Sequence, residues 1–294
     1  MTGSTAASAY RSVFRPGLFA GKAMIVTGGG SGIGRCTAHE LAALGARIAL
    51  LGRKADKLAR VEAEIAAAGG EVASFSLDIR EEEKVRATVS DVLKRFGRID
   101  GLVNNAGGQF AATIDRISAK GFDAVVRTNL TGGFLMAREC YNQWMRDHGG
   151  AIVNMAADMW HGMPGMAHSG AARAGMINFT ETAAFEWAAA NVRINAVAPG
   201  WIASSGMDTY PPERGEYLRQ RGARVPLGRY GTESEVSAAI VFLLSEAAAF
   251  ITGTTIRIDG GTPNVRPYMD VEPRQPAPQY DGFHLAEMPK VLRG

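Results

Sequence analysis

This sequence has few cysteines, little excess of charge of one sign and few long apolar runs. Its 294 residues include two cysteines, Cys36 and Cys140, which lie far apart and in no metal-ligand spacing. Two isolated cysteines in a chain of this length do not make a disulfide framework, so we expect a reducing, cytoplasmic location. The histidines form no H-x-x-H or HExxH pair, and we therefore expect no structural metal.

The charged residues are nearly balanced and scattered along the chain. There are 32 lysines and arginines against 29 aspartates and glutamates, without a K/R-rich run. This pattern argues against a nucleic-acid partner and against a membrane-surface partner. No stretch reaches the roughly 18 uninterrupted apolar residues of a transmembrane helix. Neither MTGSTAASAYRS at the start nor VLRG at the end matches a secretory, peroxisomal or retention signal.

Hydrophobic residues make up 46% of the chain, enough for one large core, and they follow an alternating pattern. Short apolar runs bounded by glycine predict strands, and apolar residues at helical spacing predict helices between them. The predicted strands cover residues 23–28, 46–52, 72–77, 101–107, 151–156, 193–200 and 254–261. This alternation favours an α/β fold: a single Rossmann-type, doubly wound, seven-stranded parallel sheet with helices on both faces.

Breaks in the alternation divide the chain. Residues 1–20 predict a flexible lead-in before a catalytic domain over 21–262. Within that domain, residues 201–232 follow the end of a strand and are rich in Gly, Pro and Arg, which is typical of a substrate lid. Residues 263–294 contain several prolines and little periodicity, and we expect this tail to lie on a neighbouring subunit or to be partly mobile.

A glycine-rich turn, TGGGSGIG at 27–34, joins the first strand to the first helix. Glycine lets a backbone turn tightly and approach a diphosphate closely, while the amino end of the helix supplies N–H donors. A plain structural turn has the same glycine pattern, but the strand–turn–helix context favours a dinucleotide site. The residues expected to bind the dinucleotide here are Gly28, Ser31, Gly32, Ile33 and Gly34.

The residues after the second strand bear on which dinucleotide binds. An acidic side chain there would bond the adenosine ribose and favour NAD(H). This chain has Arg53 and Lys54 instead, and cations suit the additional phosphate of NADP(H). We therefore favour NADP(H) over NAD(H); the alternative is a pair of solvated charges at the start of a helix.

Several motifs occur in the order and at the intervals of one enzyme family. They are TGxxxGxG at 27–34, Asp78, Asn104-Asn105-Ala106-Gly107, Asn129 and Pro199-Gly200. Over residues 20–262 the chain therefore resembles the short-chain dehydrogenase/reductases. Through NNAGGQF, TNLTGGFLMAREC, HSGAARAG and AAAFITG it is similar to peroxisomal-type trans-2-enoyl-CoA reductases and 2,4-dienoyl-CoA reductases. Around ADMWHGMPGM it also resembles bacterial proteins labelled citronellol/citronellal dehydrogenases.

The resemblance implies further dinucleotide contacts and an assembly. Asp78 and Ile79 would meet the adenine, and Asn105, Ala106 and Gly107 would line the adenosine and its ribose. The implied nicotinamide-side residues are Pro199, Gly200, Ile202, Ser204 and, at the ribose, Arg173. Two helical segments within 121–147 and a long helix over 169–190 resemble those that build family tetramers, so a homotetramer is expected.

The catalytic residues of the family's carbonyl reductases are changed in this chain. Those enzymes use a serine, a tyrosine and a lysine. The family pattern places Ser169 at the tyrosine position, Arg173 at the lysine position, and Ala156 or Ala157 at the serine position. Serine is a poor acid and arginine cannot relay a proton, so alcohol–ketone chemistry is disfavoured. The alternative for Ser169 is that it only caps the long helix.

Reduction of a conjugated thioester makes different demands on the site. Charge collects on the thioester oxygen as an enolate, which needs hydrogen-bond donors more than a strong acid. We expect Asn129, Ser169 and Arg173 to face the reaction, with Asp158 as the replacement acid. The alternatives are an N-cap role for Asn129 and a solvated loop carboxylate for Asp158.

The leading hypothesis is an NADP(H)-dependent reductase of a small-molecule substrate, the enoyl- or dienoyl-CoA thioester. The lid arginines fit the phosphates of coenzyme A, or else form a solvated basic face; they are Arg214, Arg219, Arg221, Arg224 and Arg229. Two rival hypotheses are a dehydrogenase of a terpenoid alcohol or aldehyde such as citronellol, and a dinucleotide-binding protein without catalysis.

Overall fold

The computed structural model describes residues 9–210, 212–265 and 275–293. One parallel seven-stranded sheet has the strand order β3-β2-β1-β4-β5-β6-β7, which confirms the predicted architecture. The strands are β1 (Ala23–Thr27), β2 (Arg47–Gly52), β3 (Val72–Ser76), β4 (Gly101–Asn104), β5 (Gly150–Met155), β6 (Val192–Pro199) and β7 (Thr255–Ile258). The order reverses beside β1, and such a switch point opens a crevice at the carboxyl ends of the strands.

Helices cover both faces of the sheet. They are α1 (Gly32–Ala43), α2 (Ala55–Ala67), α3 (Glu82–Phe96), α4 (Ala119–Val126), α5 (Gly132–Cys140), α6 (Arg146–His148), α7 (Ala167–Trp187), α8 (Gly215–Arg221) and α9 (Glu233–Leu244). Among the described residues, no helix is both long and apolar enough to cross a membrane. Within the same residues, no three His, Cys, Asp or Glu side chains are grouped to hold a metal ion.

Alternate residues of the central strands supply two separate cores. In β2, Ile48 and Leu50 pack on the side covered by α1, α2 and α9. Their neighbours Ala49 and Leu51 pack on the opposite side, under α3, α5 and α7. Burial on both faces explains why these strands are almost continuously apolar in the sequence.

The helical segments predicted within 121–147 are one continuous helical run over 119–148 rather than two. Ser118 caps it, because its hydroxyl accepts a hydrogen bond from Gly121 N–H at 3.1 Å. A π-helical turn, Arg127–Thr131, interrupts the α-helical pattern between α4 and α5. Asn129 is therefore inside a helix and not at its N-cap, which excludes the capping alternative for this residue.

The described part of each terminus packs on the chain's own helices. Tyr10 and Phe283 are buried beside Cys36 of α1, with ring centroids 5.9 Å apart. Arg11 N–H donates to the Gly282 carbonyl at 2.9 Å, so the two terminal segments also pair with each other. Residues 275–293 of the tail thus pack on their own chain, where Phe283 fills an apolar site. Residues 1–8 and 266–274 lie outside the described residues.

Candidate active site

A cleft of about 210 Å³ opens at the carboxyl ends of β1, β2, β3 and β4. It brings together most residues predicted to bind the adenosine half of a dinucleotide. The predicted residues on its wall are Gly28, Ser31, Arg53, Lys54, Asp78, Ile79, Ala106 and Gly107. Lys57, Arg80 and Thr128 also line it and were not predicted.

The glycine turn leaves no room for side chains between the loops after β1 and β4. A Cβ on Gly28 would lie 2.8 Å from Asn105 Nδ2, and Gly28 has a φ of +67°. A Cβ on Gly34 would collide with the Gly28 carbonyl oxygen. Asn105 Nδ2 donates to the Thr27 carbonyl at 3.0 Å and holds the two loops together. This bare backbone fits a diphosphate at the amino end of α1, whose N-cap Ser31 makes no side-chain capping bond.

The adenosine end of the cleft is basic. Arg53, Lys54 and Lys57 are exposed on its rim, and Arg80 faces them from the loop after β3. Arg80 binds both carboxylate oxygens of Asp78 at 2.5–3.1 Å, which lowers the pKa of Asp78 to about 2. The carboxylate expected to meet adenine is therefore already paired with a cation. The sequence could have indicated Lys57 as a residue of this corner, since it lies one helical turn after Lys54.

Asn129 and Arg173 meet at Gly107, at the end of the cleft away from the adenosine site. A Cβ on Gly107 would lie 2.5 Å from Arg173 Nη2 and 3.1 Å from Asn129 Oδ1. Asn129 Oδ1 accepts Gly108 N–H at 2.8 Å, while its buried Nδ2 has no hydrogen-bond partner. Arg173 donates from Nη1 to the Met155 carbonyl at 2.5 Å, and burial lowers its pKa to about 10. The Arg173 guanidinium and the Asn129 amide oxygen thus both lie beside the Gly107 backbone.

Ser169 does not cap the long helix, which excludes the capping alternative. The helix α7 has Met166 at its N-cap, and Ser169 lies within the first turn. Its buried hydroxyl donates instead to Gln109 Oε1 at 2.6 Å. The sequence analysis did not single out Gln109, although this residue directly follows the NNAGG motif. Ser169 and Arg173 lie one helical turn apart, so both belong to the Gly107 end of the cleft.

Asp158 lies apart from that group. Its N–H donates to the Pro199 carbonyl at 3.0 Å, at the carboxyl ends of β5 and β6. Burial raises the pKa of its carboxyl, and the nearby Asp259 raises it further. The charged groups that act on it are Asp259, Arg257, His161 and Arg221. The structure therefore gives Asp158 an acid's environment but no contact with Asn129 or Arg173.

Four residues predicted for the nicotinamide side lie at and after the end of β6. Gly200 packs so closely that a Cβ would lie 2.8 Å from the Asp259 Cα. Ile202 is buried and forms a parallel bridge with Gly231, which anchors the start of the predicted lid. The Ser204 carbonyl accepts Met207 N–H at 2.9 Å in the turn that follows. Pro199, Gly200, Ile202 and Ser204 are thus consecutive parts of one edge, beyond the described adenosine cleft.

The lid arginines do not form the free basic rim proposed for coenzyme A. Arg219 binds Glu216 at 3.0 Å, and Arg221 lies 4.6 Å over the Trp201 ring. Arg229 binds Glu235 and the Pro278 carbonyl. Arg219, Arg221 and Arg229 are thus engaged by their own chain, whereas Arg214 and Arg224 are exposed, as the sequence spacing could not reveal.

Comparison with known proteins places this site in a family. The family model described as Enoyl-(Acyl carrier protein) reductase matches residues 28–263. A probable 2,4-dienoyl-CoA reductase of Bacillus subtilis is 37% identical over 243 residues, 82% of this chain and 96% of that protein. A peroxisomal 2,4-dienoyl-CoA reductase of Danio rerio is 34% identical over 256 residues, 86% of this chain and 85% of that protein.

A solved structure is more similar in sequence. The citronellol catabolism dehydrogenase of Pseudomonas aeruginosa PAO1 is 60% identical, with a TM-score of 0.78. The match covers 86% of this chain and all of that one. These similarities span the sheet, the cleft and the lid together.

Proposed function

Because this chain belongs to the short-chain dehydrogenase/reductase family and is an oxidoreductase, we propose that it reduces the carbon–carbon double bond of an enoyl- or dienoyl-CoA with NADP(H). The observation that carries the proposal is the meeting of Asn129 and Arg173 at Gly107. Arg173 brings guanidinium donors to this point, Asn129 carries a buried Nδ2 without a described partner, and neither side chain is a proton donor of suitable pKa. The dinucleotide residues predicted above are part of the same proposal, with residues 201–232 as the substrate lid of a domain over 21–262.

The preference for NADP(H) rests on the basic corner of the cleft. Four cations, Arg53, Lys54, Lys57 and Arg80, face the adenosine end, and Asp78, the one carboxylate among the described lining residues, is held by Arg80. A ribose phosphate would find partners for its charge, whereas free ribose hydroxyls would find no unpaired carboxylate.

The test of cofactor preference removes two cations from this basic corner. We expect Arg53→Ala with Lys54→Ala to raise KM for NADPH about 10- to 100-fold, since two charge-assisted contacts are lost. KM for NADH serves as the internal control and should stay within threefold. An equal loss with both cofactors would contradict the assignment of these two residues to the ribose phosphate.

In the proposed mechanism the protein stabilises charge and directs one proton. NADPH, when held in the cleft, would supply the hydride that adds to the conjugated carbon chain of the thioester. Arg173, anchored on the Met155 carbonyl, and Asn129, anchored on Gly108 N–H, hold donors toward the oxygen on which enolate charge collects. Asp158, whose pKa burial raises, delivers the proton to carbon through a water molecule, which completes addition of one hydride and one proton.

A second candidate is a dehydrogenase of a terpenoid alcohol or aldehyde, favoured by the 60% identity to the citronellol catabolism dehydrogenase. In that reaction an alkoxide oxygen must exchange a proton with the enzyme. Asp158 is then the acid–base group, because the Arg173 guanidinium stays protonated near neutral pH. The two candidates share the cofactor site and differ in the bond that is reduced.

The deciding experiment offers a trans-2-enoyl-CoA, a 2,4-dienoyl-CoA and citronellal side by side and follows NADPH oxidation. Turnover of a CoA ester alone supports conjugate reduction. Turnover of citronellal alone would contradict the proposal and favour the second candidate. Asn129→Ala should lower kcat about 100-fold while NADPH binding is kept, because one oxyanion donor is removed.

We extend the proposal to a cytoplasmic homotetramer built on α5 and α7. Exposed aromatic side chains support a helix-mediated interface: Phe134 on α5 is 37% exposed and Phe185 on α7 is 88% exposed. Light scattering on the eluted protein measures the assembly, and a monomeric mass at micromolar concentration would contradict it.

A further inference from the structure

The loop that follows β4 is fastened to the start of α7 at three places. Ala112 N–H donates to the Gly165 carbonyl at 2.8 Å. The Phe110 ring meets the buried His168 ring edge-on, with centroids 4.4 Å apart. Ser169 Oγ donates to Gln109 Oε1 at 2.6 Å. Gln109 is therefore held in one orientation although its side chain is exposed to solvent.

The bond between Ser169 and Gln109 decides which of them can donate to a substrate. A serine hydroxyl has one hydrogen, and Ser169 commits it to Gln109. The Gln109 carboxamide, bound through its oxygen, keeps two N–H donors, and no other described residue accepts a hydrogen bond from them. The donor at this point of the site is therefore the amide and not the hydroxyl.

The position of Gln109 in the chain brings this amide to the Gly107 end of the cleft. It is two residues from Gly107, where an added Cβ would meet both Arg173 and Asn129. Its partner Ser169 lies one helical turn before Arg173 on α7. Asn129 also fixes the loop, because its Oδ1 accepts Gly108 N–H at 2.8 Å. The Gln109 carboxamide and the backbone of the preceding residue are thus each fixed by a hydrogen bond.

We propose that Gln109 is a catalytic residue whose Nε2 donates a hydrogen bond to the thioester oxygen as enolate charge develops there. Ser169 is its positioning residue and orients the carboxamide through the hydroxyl bond. This inference rests on the proposed thioester reduction and adds a donor that the sequence motifs do not identify. It also gives Ser169 a role, as the residue that orients Gln109, at the position where the family's carbonyl reductases have a tyrosine.

The test distinguishes a Gln109 side chain that donates a hydrogen bond to the substrate from one that only accepts the bond from Ser169. Gln109→Glu keeps an oxygen acceptor for the Ser169 hydroxyl and removes both N–H donors at neutral pH. We expect kcat for the CoA ester that the wild type reduces to fall about 100-fold, with NADPH affinity unchanged. Gln109→Met, which has neither donor nor acceptor and a similar length, should fall at least as far.

The pH profile distinguishes a lost donor from an introduced charge. A protonated glutamic acid donates again, so Gln109→Glu should regain activity several-fold relative to wild type between about pH 7.5 and about pH 5. Gln109→Met should show no such recovery. Either Gln109→Glu within threefold of wild type at neutral pH, or a fully active Gln109→Met, overturns the inference. A wild type that reduces no CoA ester overturns the proposed function and this inference with it, whereas an active wild type with active variants overturns only the inference.

Discussion

Glu233 places a carboxylate beside the glycine turn that we assign to the diphosphate. It is the first residue of α9, and its Oε1 lies 3.8 Å from the position of a Cβ on Gly32. The Ser205 N–H donates to it, which joins the start of the lid to the same point. Burial raises the pKa of Glu233 to about 7, and Arg35 opposes this shift. The other acidic groups that face it are Glu287 and Asp281, and both raise its pKa.

This titration should make NADPH affinity depend on pH. Below about pH 7 Glu233 is neutral; above it, the carboxylate repels the bound diphosphate. We expect the Kd for NADPH to rise about fivefold between about pH 6 and about pH 8, and Glu233→Gln to flatten this dependence. Fluorescence titration measures it, with the exposed Glu83→Gln as a control that keeps the wild-type slope. An unchanged slope in Glu233→Gln would contradict the assignment.

A chain of buried amides joins β4, β5 and α7 underneath the site. Asn104 Nδ2 donates to Asn154 Oδ1 at 2.9 Å, and Asn154 Nδ2 donates to Thr180 Oγ1 at 2.9 Å. Thr180 in turn donates to the Met176 carbonyl at 2.7 Å. These side chains are buried, so the chain fixes the distance between the sheet and the helix that carries Arg173.

Removing the last hydroxyl of that chain should destabilise the fold. Thr180→Val leaves the Asn154 amide without its acceptor, and we expect the free energy of unfolding to fall by about 1–3 kcal/mol. Thr182→Val is the matched control: its hydroxyl makes the same bond to a carbonyl four residues earlier, but it is exposed. Urea denaturation measures both, and equal losses would show that burial of the amide is not the cause.

At the scale of helices and strands, the sequence pattern predicted those features that depend on the residues of one segment alone. The strands around Ile48 and Leu50 were predictable because burial on both faces requires apolar residues at every position. The bond between Ser169 and Gln109 was not, since it joins residues 60 apart and depends on how α7 meets the loop. Asn129 was predicted as a site residue, but its π-helical setting has no sequence period of its own.

At the scale of the whole molecule, the described part of the tail, residues 275–293, lies as a strap across α1 and α9. Ser234 Oγ accepts the N–H groups of Gly282 and Phe283 at 3.2 and 3.1 Å, and Arg35 lies 5.1 Å over the Phe283 ring. Arg229 of the lid donates to the Ala277 carbonyl at 2.8 Å. The strap therefore connects the lid to the helices of the core.

Phe283 is the anchor of this strap. Phe283→Ala should lower the free energy of unfolding by about 3–5 kcal/mol, because a buried aromatic ring is replaced by a cavity. Met288→Ala, in the same segment but 58% exposed, is the control and should change stability by less than about 0.5 kcal/mol. Thermal and urea unfolding test this, and a similar small loss in both variants would mean that the strap contributes little.

The contact at Gly107 has a consequence for how this site can change over evolutionary time. A methyl group there would meet the Arg173 guanidinium at 2.5 Å, so position 107 cannot gain a side chain while the guanidinium keeps its place. Any lineage that gains a side chain at 107 must first shorten or redirect the one at 173. The two positions should therefore covary among descendants of this sequence, with alanine at 107 tolerated only after arginine at 173 has been lost.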